Sequence, residues 1–164
     1  MGCSSSVSRA FAIAGLVLLV GALGACSKKP QSNARMMAGD QGMPAVPGSS
    51  RDFSENVGKK IIFTVNSSEL TPEASATLRS QARWLQRYPQ YSVLIEGHAD
   101  ERGTREYNLA LGSRRATAVR SFLSQNGIRD QRVRTVSYGK ERPISLCNEF
   151  RCWSKNRRAE TALN

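Results

Sequence analysis

The stretch EGHADERGT, residues 96–104, decides how this chain folds, because it joins a strand pattern to a helix pattern through a short polar turn. Before it, residues 91–95 (YSVLI) are rich in aromatic and β-branched side chains and indicate a strand. After it, an apolar stripe at helical spacing runs up to an Asn-Gly helix end at 126–127 and comprises Leu109, Ala116, Val119 and Leu123. The sequence therefore predicts a strand, a loop and a helix over residues 91–127.

Charged and polar residues gather at this junction. At about 100° per residue, one side of the predicted helix carries Thr104, Asn108, Gly112 and Arg115, away from the apolar stripe. We expect the Asp100 carboxylate to hold a cationic group and the Arg115 guanidinium to bind a carboxylate, with Gly112 leaving the backbone open to a ligand between them. Such an arrangement suits a small zwitterion.

The same residues have a simpler interpretation. Asp100 is also placed to cap the helix or to stabilise its positive end, and Arg114 and Arg115 are also typical of a solvated helix face. His98 is the only histidine in the chain, and we expect it to be a packed residue at a strand end, not a base or a metal ligand.

The order of elements predicts an α+β fold. Residues 60–65 form a first strand, and a helix then begins after Thr71 and runs to Pro89, with Ala74, Leu78, Ala82 and Leu85 on its core face. Two further strands are predicted at 133–138 and 159–163. The result is a single βαβαββ domain over residues 52–164, with helices packed on a mixed four-stranded sheet.

The N-terminus has the form of a secretion signal. Residues 10–23 make an apolar run of about 21 Å as a helix, short of the roughly 30 Å of a bilayer core. The following LGAC at 23–26 resembles the bacterial lipobox, which implies a signal peptide over 1–25 and lipid attached to Cys26. Met1-Gly2-Cys3 is a competing signal for N-myristoylation. Residues 26–51 lack periodicity and are predicted to be the lipidated N-terminus and a flexible linker.

The net charge and the cysteines limit the kinds of ligand and site that this protein can have. The formal charge is +11, and removal of 1–25 takes away only Arg9 and no acid, so it becomes +10. Such a surface favours polyanions, but export and the lack of interleaved aromatic residues argue against nucleic acid. Cys147 and Cys152 stand five apart, which in an exported protein favours a disulfide over zinc. We expect no metal and no cofactor.

Several motifs resemble the peptidoglycan-associated lipoprotein family, whose members carry a domain like the C-terminal domain of outer-membrane protein A. These motifs are EGHADERGT, LGSRRA at 111–116, VSYGKERP at 136–143 and SKNRRA at 154–159. The resemblance implies non-covalent binding of the diaminopimelate-containing stem peptide of peptidoglycan. It also implies that Asp100 and Arg115 are the ligand-binding acid and base, supported by Thr104 and Asn108, with backbone amides of Thr64, Val65 and Asn66 completing the pocket.

The resemblance further implies a lipoprotein of the outer membrane whose domain faces the periplasm. Its expected partners are peptidoglycan, TolB, TolA and OmpA-like porins, and its expected role is envelope constriction during cell division. It is not expected to be an enzyme, since a hydrolase needs a nucleophile with a base or a metal. Two alternatives stay open: a wall-binding lipoprotein outside the Tol system, and a generic basic tether. Thr64 and Asn66 depart from the family pattern, because many relatives have aspartates there.

Overall fold

The structure is a computed structural model and describes residues 44–164. The predicted signal peptide, the lipidation site Cys26 and most of the predicted linker lie outside these residues. The helices and strands are, in chain order, α1 (Ser50–Asp52), which continues into a π-helical turn (Phe53–Gly58), β1 (Lys60–Ile62), α2 (Pro72–Arg87), β2 (Val93–His98), α3 (Arg105–Gln125), a 3-10 turn (Asp130–Arg132), β3 (Val133–Gly139), α4 (Phe150–Asn156) and β4 (Arg158–Leu163).

The four strands form one mixed sheet in the order β1-β4-β2-β3. β4 is antiparallel to both of its neighbours, whereas β2 and β3 are parallel. Val93 and Ile95 of β2 are buried in a common core with side chains of α2 and α3. The predicted α+β architecture with a mixed four-stranded sheet is confirmed.

The predicted core face of α2 is correct, because Ala74, Leu78, Ala82 and Leu85 are all buried. The Thr71 hydroxyl accepts a hydrogen bond from the amide of Ala74 at 3.2 Å and so caps this helix.

The predicted faces of α3 need two corrections. Leu109 is only half-buried, and Leu111 is the buried leucine of this turn. Gly112 is buried and, contrary to the prediction, does not leave the backbone open to a ligand. It lies against Gly97 of β2, where a Cβ on either glycine would overlap atoms of the other. The two glycines therefore allow the backbones of α3 and β2 to touch.

β1 ends earlier than predicted. The strand stops at Ile62, although the amide of Phe63 still donates to the carbonyl of Arg157 at 2.9 Å. The chain then turns, and Asn66 adopts a positive φ of 54°. Residues 64–66 are thus an exposed loop and not the end of a strand.

Two helical segments were not predicted. α4 is only seven residues long, and its sequence has no apolar periodicity. At the N-terminal side, Ser49 caps α1, and the Asp52 carboxylate accepts hydrogen bonds from Gly48 N at 2.9 Å and from Trp84 Nε1 at 2.8 Å. Residues 48–51, which the sequence assigned to the linker, therefore pack against the domain.

No helix within residues 44–164 is long and apolar enough to cross a membrane.

Candidate functional site

The candidate site lies where β1 and β2 end and α3 begins. Both strands are antiparallel to β4, so they run in the same direction and their carboxyl ends lie at one edge of the sheet. This places the loop after β1, which contains Thr64, beside the loop after β2, which contains Asp100. The sequence separates these loops by a whole helix, and the sheet brings them together.

Asp100 is held by arginines. Only 7% of the residue is exposed. Arg102 donates to its carboxylate through Nη2 at 2.8 Å and through Nε at 3.2 Å, and Arg157 donates through Nη1 at 3.3 Å. Burial opposes ionisation of Asp100, but the hydrogen bonds from Arg102 and Arg157 outweigh it and hold its pKa below the usual value. The carboxylate is therefore charged at neutral pH.

Arg115 is completely buried, with 0% of its surface exposed. Its guanidinium donates to three backbone carbonyls, which belong to His98 at 2.7 Å, Ser67 at 2.9 Å and Thr64 at 3.1 Å. Burial, followed by the nearby charge of Arg157, lowers its pKa to about 10, so it stays protonated at neutral pH. The alternative that Arg115 belongs to a solvated face is wrong, whereas Arg114 is exposed.

This geometry changes the role of Arg115. The guanidinium ties the loop 64–67 to the end of β2, and no part of it reaches the surface in this conformation. Direct contact between Arg115 and a ligand carboxylate requires that the loop move, and it stays a prediction.

The other predicted residues of α3 have structural partners. The Thr104 hydroxyl accepts from the amide of Tyr107 at 3.2 Å and caps the helix, so the alternative that Asp100 is the cap is wrong. Asn108 is buried, and its Nδ2 donates to the carbonyl of Arg102 at 2.8 Å. Asn108 therefore fixes the loop that carries both Asp100 and Arg102.

A groove of about 230 Å³ opens beside Arg102, the exposed ion-pair partner of Asp100. It is lined by Val65, Asn66, Arg102, Gly103 and Tyr107. The predicted residues Thr64, Val65 and Asn66 are all exposed here. The loop after β1 therefore forms one wall of the groove, and the loop after β2 forms the other.

The charges of the site do not balance. Arg102, Arg115 and Arg157 carry three positive charges around the carboxylate of Asp100, and Glu101 adds a second carboxylate that acts on Arg102, so one positive charge remains in surplus. The sequence reasoning did not select Arg102 or Arg157 as site residues, although both lie within motifs that carried the family resemblance, EGHADERGT and SKNRRA. The surplus of positive charge favours a ligand with an anionic group, while Asp100 offers an acceptor for a cationic one.

Comparisons with known proteins place the chain in a family. The model of the OmpA family matches residues 62–157. The peptidoglycan-associated lipoprotein of Brucella melitensis is 53% identical over 97% of this chain and 95% of that protein. The chain belongs to the peptidoglycan-associated lipoprotein family.

Two further comparisons agree with this assignment. The peptidoglycan-associated lipoprotein of Mesorhizobium japonicum is 47% identical over 100% of this chain and 98% of that protein. The crystal structure of the peptidoglycan-associated lipoprotein from Burkholderia pseudomallei has a TM-score of 0.66 and 38% identity, and the match covers 70% of this chain and 98% of that one. The expected OmpA-like fold is confirmed. Peptidoglycan-associated lipoproteins are binding proteins and not enzymes, so the prediction of no enzymatic activity is also confirmed.

Two features of this family member lie beside the site. His98 is buried at the end of β2 as predicted, and both of its ring nitrogens lack a hydrogen-bond partner. A disulfide joins Cys147, which lies just before α4, to Cys152, which lies within it. Among the residues that the structure describes, no group of His, Cys, Asp and Glu side chains could hold a metal ion.

Proposed function

We propose that this protein binds peptidoglycan non-covalently through the diaminopimelate side chain of the stem peptide. The observation that carries the proposal is the ionised, nearly buried Asp100, which is set among three guanidinium groups and whose partner Arg102 lines an open groove. The free end of diaminopimelate in a stem peptide carries one ammonium and one carboxylate on the same carbon. That group matches a site with one acceptor for a cation and surplus positive charge for an anion.

Each group has a distinct task in this proposal. Asp100 accepts the ligand ammonium, and the arginines provide the positive field for the ligand carboxylate. Arg115 acts first by holding the carbonyls of Thr64 and Ser67, which shapes the wall of the groove. The amides of the exposed 64–66 loop then complete the site for the ligand, even though Thr64 and Asn66 replace the family's aspartates.

The cellular role follows from the predicted anchor. Cleavage of residues 1–25 and lipidation of Cys26 would fix the chain in the outer membrane, with residues 26–51 as the tether and the domain from Asp52 onward in the periplasm. Family membership supports a role with TolB and TolA in envelope constriction during cell division, and contact with OmpA-like porins. The protein would then link the outer membrane to the cell wall.

The experiment uses sacculi whose stem peptides contain either diaminopimelate or lysine. The chain from Ser27 onward is suitable because the described residues, 44–164, belong to one compact unit. The sedimented fraction is measured at physiological salt for the wild type and for Asp100→Asn. A charge-assisted hydrogen bond contributes about 1.5–3 kcal/mol, so the substitution should weaken binding roughly 10- to 100-fold.

Asp130→Asn is the matched control. It makes the same chemical change on an exposed carboxylate that pairs with Ser124 and Arg120, far along the chain from the site. This variant should sediment like the wild type. Equal binding to both kinds of sacculi, or binding that Asp100→Asn leaves unchanged in a folded protein, would reject the site and favour a generic basic tether. Normal division in cells that lack the protein would favour a wall-binding lipoprotein outside the Tol system.

A further inference from the structure

Arg102 already occupies the carboxylate that the ligand is proposed to use. Its guanidinium bonds to both oxygens of Asp100, with Nη2 to Oδ2 at 2.8 Å and Nε to Oδ1 at 3.2 Å. The Arg102 side chain is 43% exposed, whereas that of Asp100 is 10% exposed. A ligand ammonium must therefore compete with a cation that belongs to the protein itself.

Arg102 has a second contact that does not depend on Asp100. Its guanidinium lies 4.2 Å from the ring centre of Trp153 in α4. The indole Nε1 of Trp153 donates to the carboxylate of Glu101, which fixes the ring above the loop. Stacking of this kind holds an arginine near an aromatic face while leaving its N–H groups free for new partners.

The other arginine on Asp100 cannot exchange in the same way. The Arg157 side chain is 5% exposed, and its Nε also donates to the backbone carbonyl of Phe63. Its removal from Asp100 would leave a buried, unpaired charge, which is costly. Arg102 is therefore the partner of Asp100 that a ligand can displace.

We propose that Arg102 is an exchange partner that makes the site selective for zwitterions, an inference that rests on the proposed function. The ligand ammonium replaces Arg102 on Asp100, and Arg102 stays on Trp153 and pairs with the ligand carboxylate at the same end of the groove. A diamine would displace Arg102 without giving it an anion and would add a positive charge beside Arg115 and Arg157. A dicarboxylate without an amine would leave the pair between Asp100 and Arg102 intact.

The test compares diaminopimelate with two compounds that keep the spacing of its amines or of its carboxylates. The three ligands are meso-diaminopimelate, 1,5-diaminopentane, which lacks both carboxylates, and heptanedioate, which lacks both amines. Binding to the chain from Ser27 onward is measured by calorimetry for the wild type, Arg102→Ala and Arg102→Lys. Arg114→Ala is the matched control, because it removes the same charge from an exposed position on α3.

The expected result is a change in selectivity. The wild type should prefer diaminopimelate over the diamine by at least about tenfold. Since solvent reaches the Arg102 side of the pair and screens it, the pair contributes modestly: Arg102→Ala should bind the diamine about threefold more tightly and diaminopimelate more weakly, so that the preference falls about tenfold. Arg102→Lys should keep part of the preference, and Arg114→Ala should keep all of it. An Arg102→Ala variant that weakens both ligands equally, or that keeps the wild-type preference, overturns the inference.

A second measurement needs no ligand. The Asp100 carboxyl can be titrated by carbon-detected NMR in the wild type and in Arg102→Ala. Loss of Arg102 should raise the pKa of Asp100, because its hydrogen bonds are the largest of the influences that lower it. An unchanged pKa would show that the pair does not form in solution and would overturn the inference. A wild type that sediments with sacculi but does not distinguish the three ligands also overturns it and leaves the proposed function standing, whereas failure to sediment removes both.

Discussion

The buried His98 makes a sharp prediction about acid stability. Its imidazole packs 5.6 Å from the Tyr138 ring of β3, and its ring nitrogens have no hydrogen-bond partner. The charged groups that face it are Glu96 on β2, with Oε2 at 3.9 Å from Nε2, Arg158 and Glu160 on β4, and Arg142 in the loop after β3. Burial, followed by the charge of Arg158, lowers the pKa of His98 from 6.5 to about 4.

The sign and size of the effect follow from this shift. Between about pH 6.5 and pH 4 the unfolded chain binds a proton that the folded protein excludes, so stability rises with pH in this window. The stability that the protein gains from a neutral His98 is complete above the pKa of the unfolded state, about 6.5. It is lost as the pH falls to the pKa of the folded state, about 4. The whole shift corresponds to about 3 kcal/mol, of which about 2 kcal/mol is already lost at pH 5.

Urea unfolding at pH 7.5 and at pH 5 measures this loss in the wild type and in His98→Phe. Phenylalanine keeps a ring against Tyr138 and cannot titrate, and the backbone carbonyl that accepts from Arg115 is unaffected. Because His98 is the only histidine, no other side chain of the chain ordinarily titrates between these two values. The free energy of unfolding should therefore fall by about 2 kcal/mol in the wild type and hardly at all in His98→Phe. A parallel fall in both proteins would refute the reasoning.

Three further predictions concern the stability of the fold, each measured by urea unfolding at neutral pH. Gly97→Ala should lower the free energy of unfolding by about 1–3 kcal/mol, because the added Cβ would overlap the carbonyl of Gly112. Ser113→Ala, on the exposed side of α3, should have little effect. Asp52→Ala should lower the free energy of unfolding by about 1–3 kcal/mol, because Trp84 Nε1 and the Gly48 amide lose their acceptor. Glu55→Ala breaks an exposed pair with Arg51 and should lower it far less. Replacing Cys147 and Cys152 by serine should cost about 2 kcal/mol without unfolding the domain, since the closed loop is short; a completely unfolded variant would contradict this estimate.

The sequence predicted the main helices and strands because their patterns are local. Thr71 followed by Pro72 and Glu73 is a strong helix start, and the apolar spacing of α2 identifies its buried face without reference to the rest of the chain. α4 was missed because its seven residues carry no apolar period. Its boundaries depend on the disulfide and on contacts with loops that are distant in sequence.

The candidate site was predicted in part. Asp100 and Arg115 were selected because a carboxylate and a guanidinium flank one turn between a strand and a helix, and the structure brings both to the same edge of the sheet. Their environments were not predictable, because the amphipathic pattern placed Arg115 and Asn108 on a polar face and gave no sign that both are buried. Burial of these side chains is possible because backbone carbonyls of the loop after β1, of the end of β2 and of the loop after β2 accept their hydrogen bonds, and no local pattern encodes those acceptors.

The sequence by itself determined the order of the four strands and the two long helices, the core face of α2 and the residues that carry the family motifs. These features depend on side-chain spacing and on turn residues, which act over a few positions. Only the tertiary structure decided that Arg157 shares Asp100 with Arg102, and that Trp153 supports Arg102 from the far end of the chain. The pairing of β4 between β1 and β2 brings these distant segments to one edge of the sheet, and this non-local pairing determines which charges face the groove.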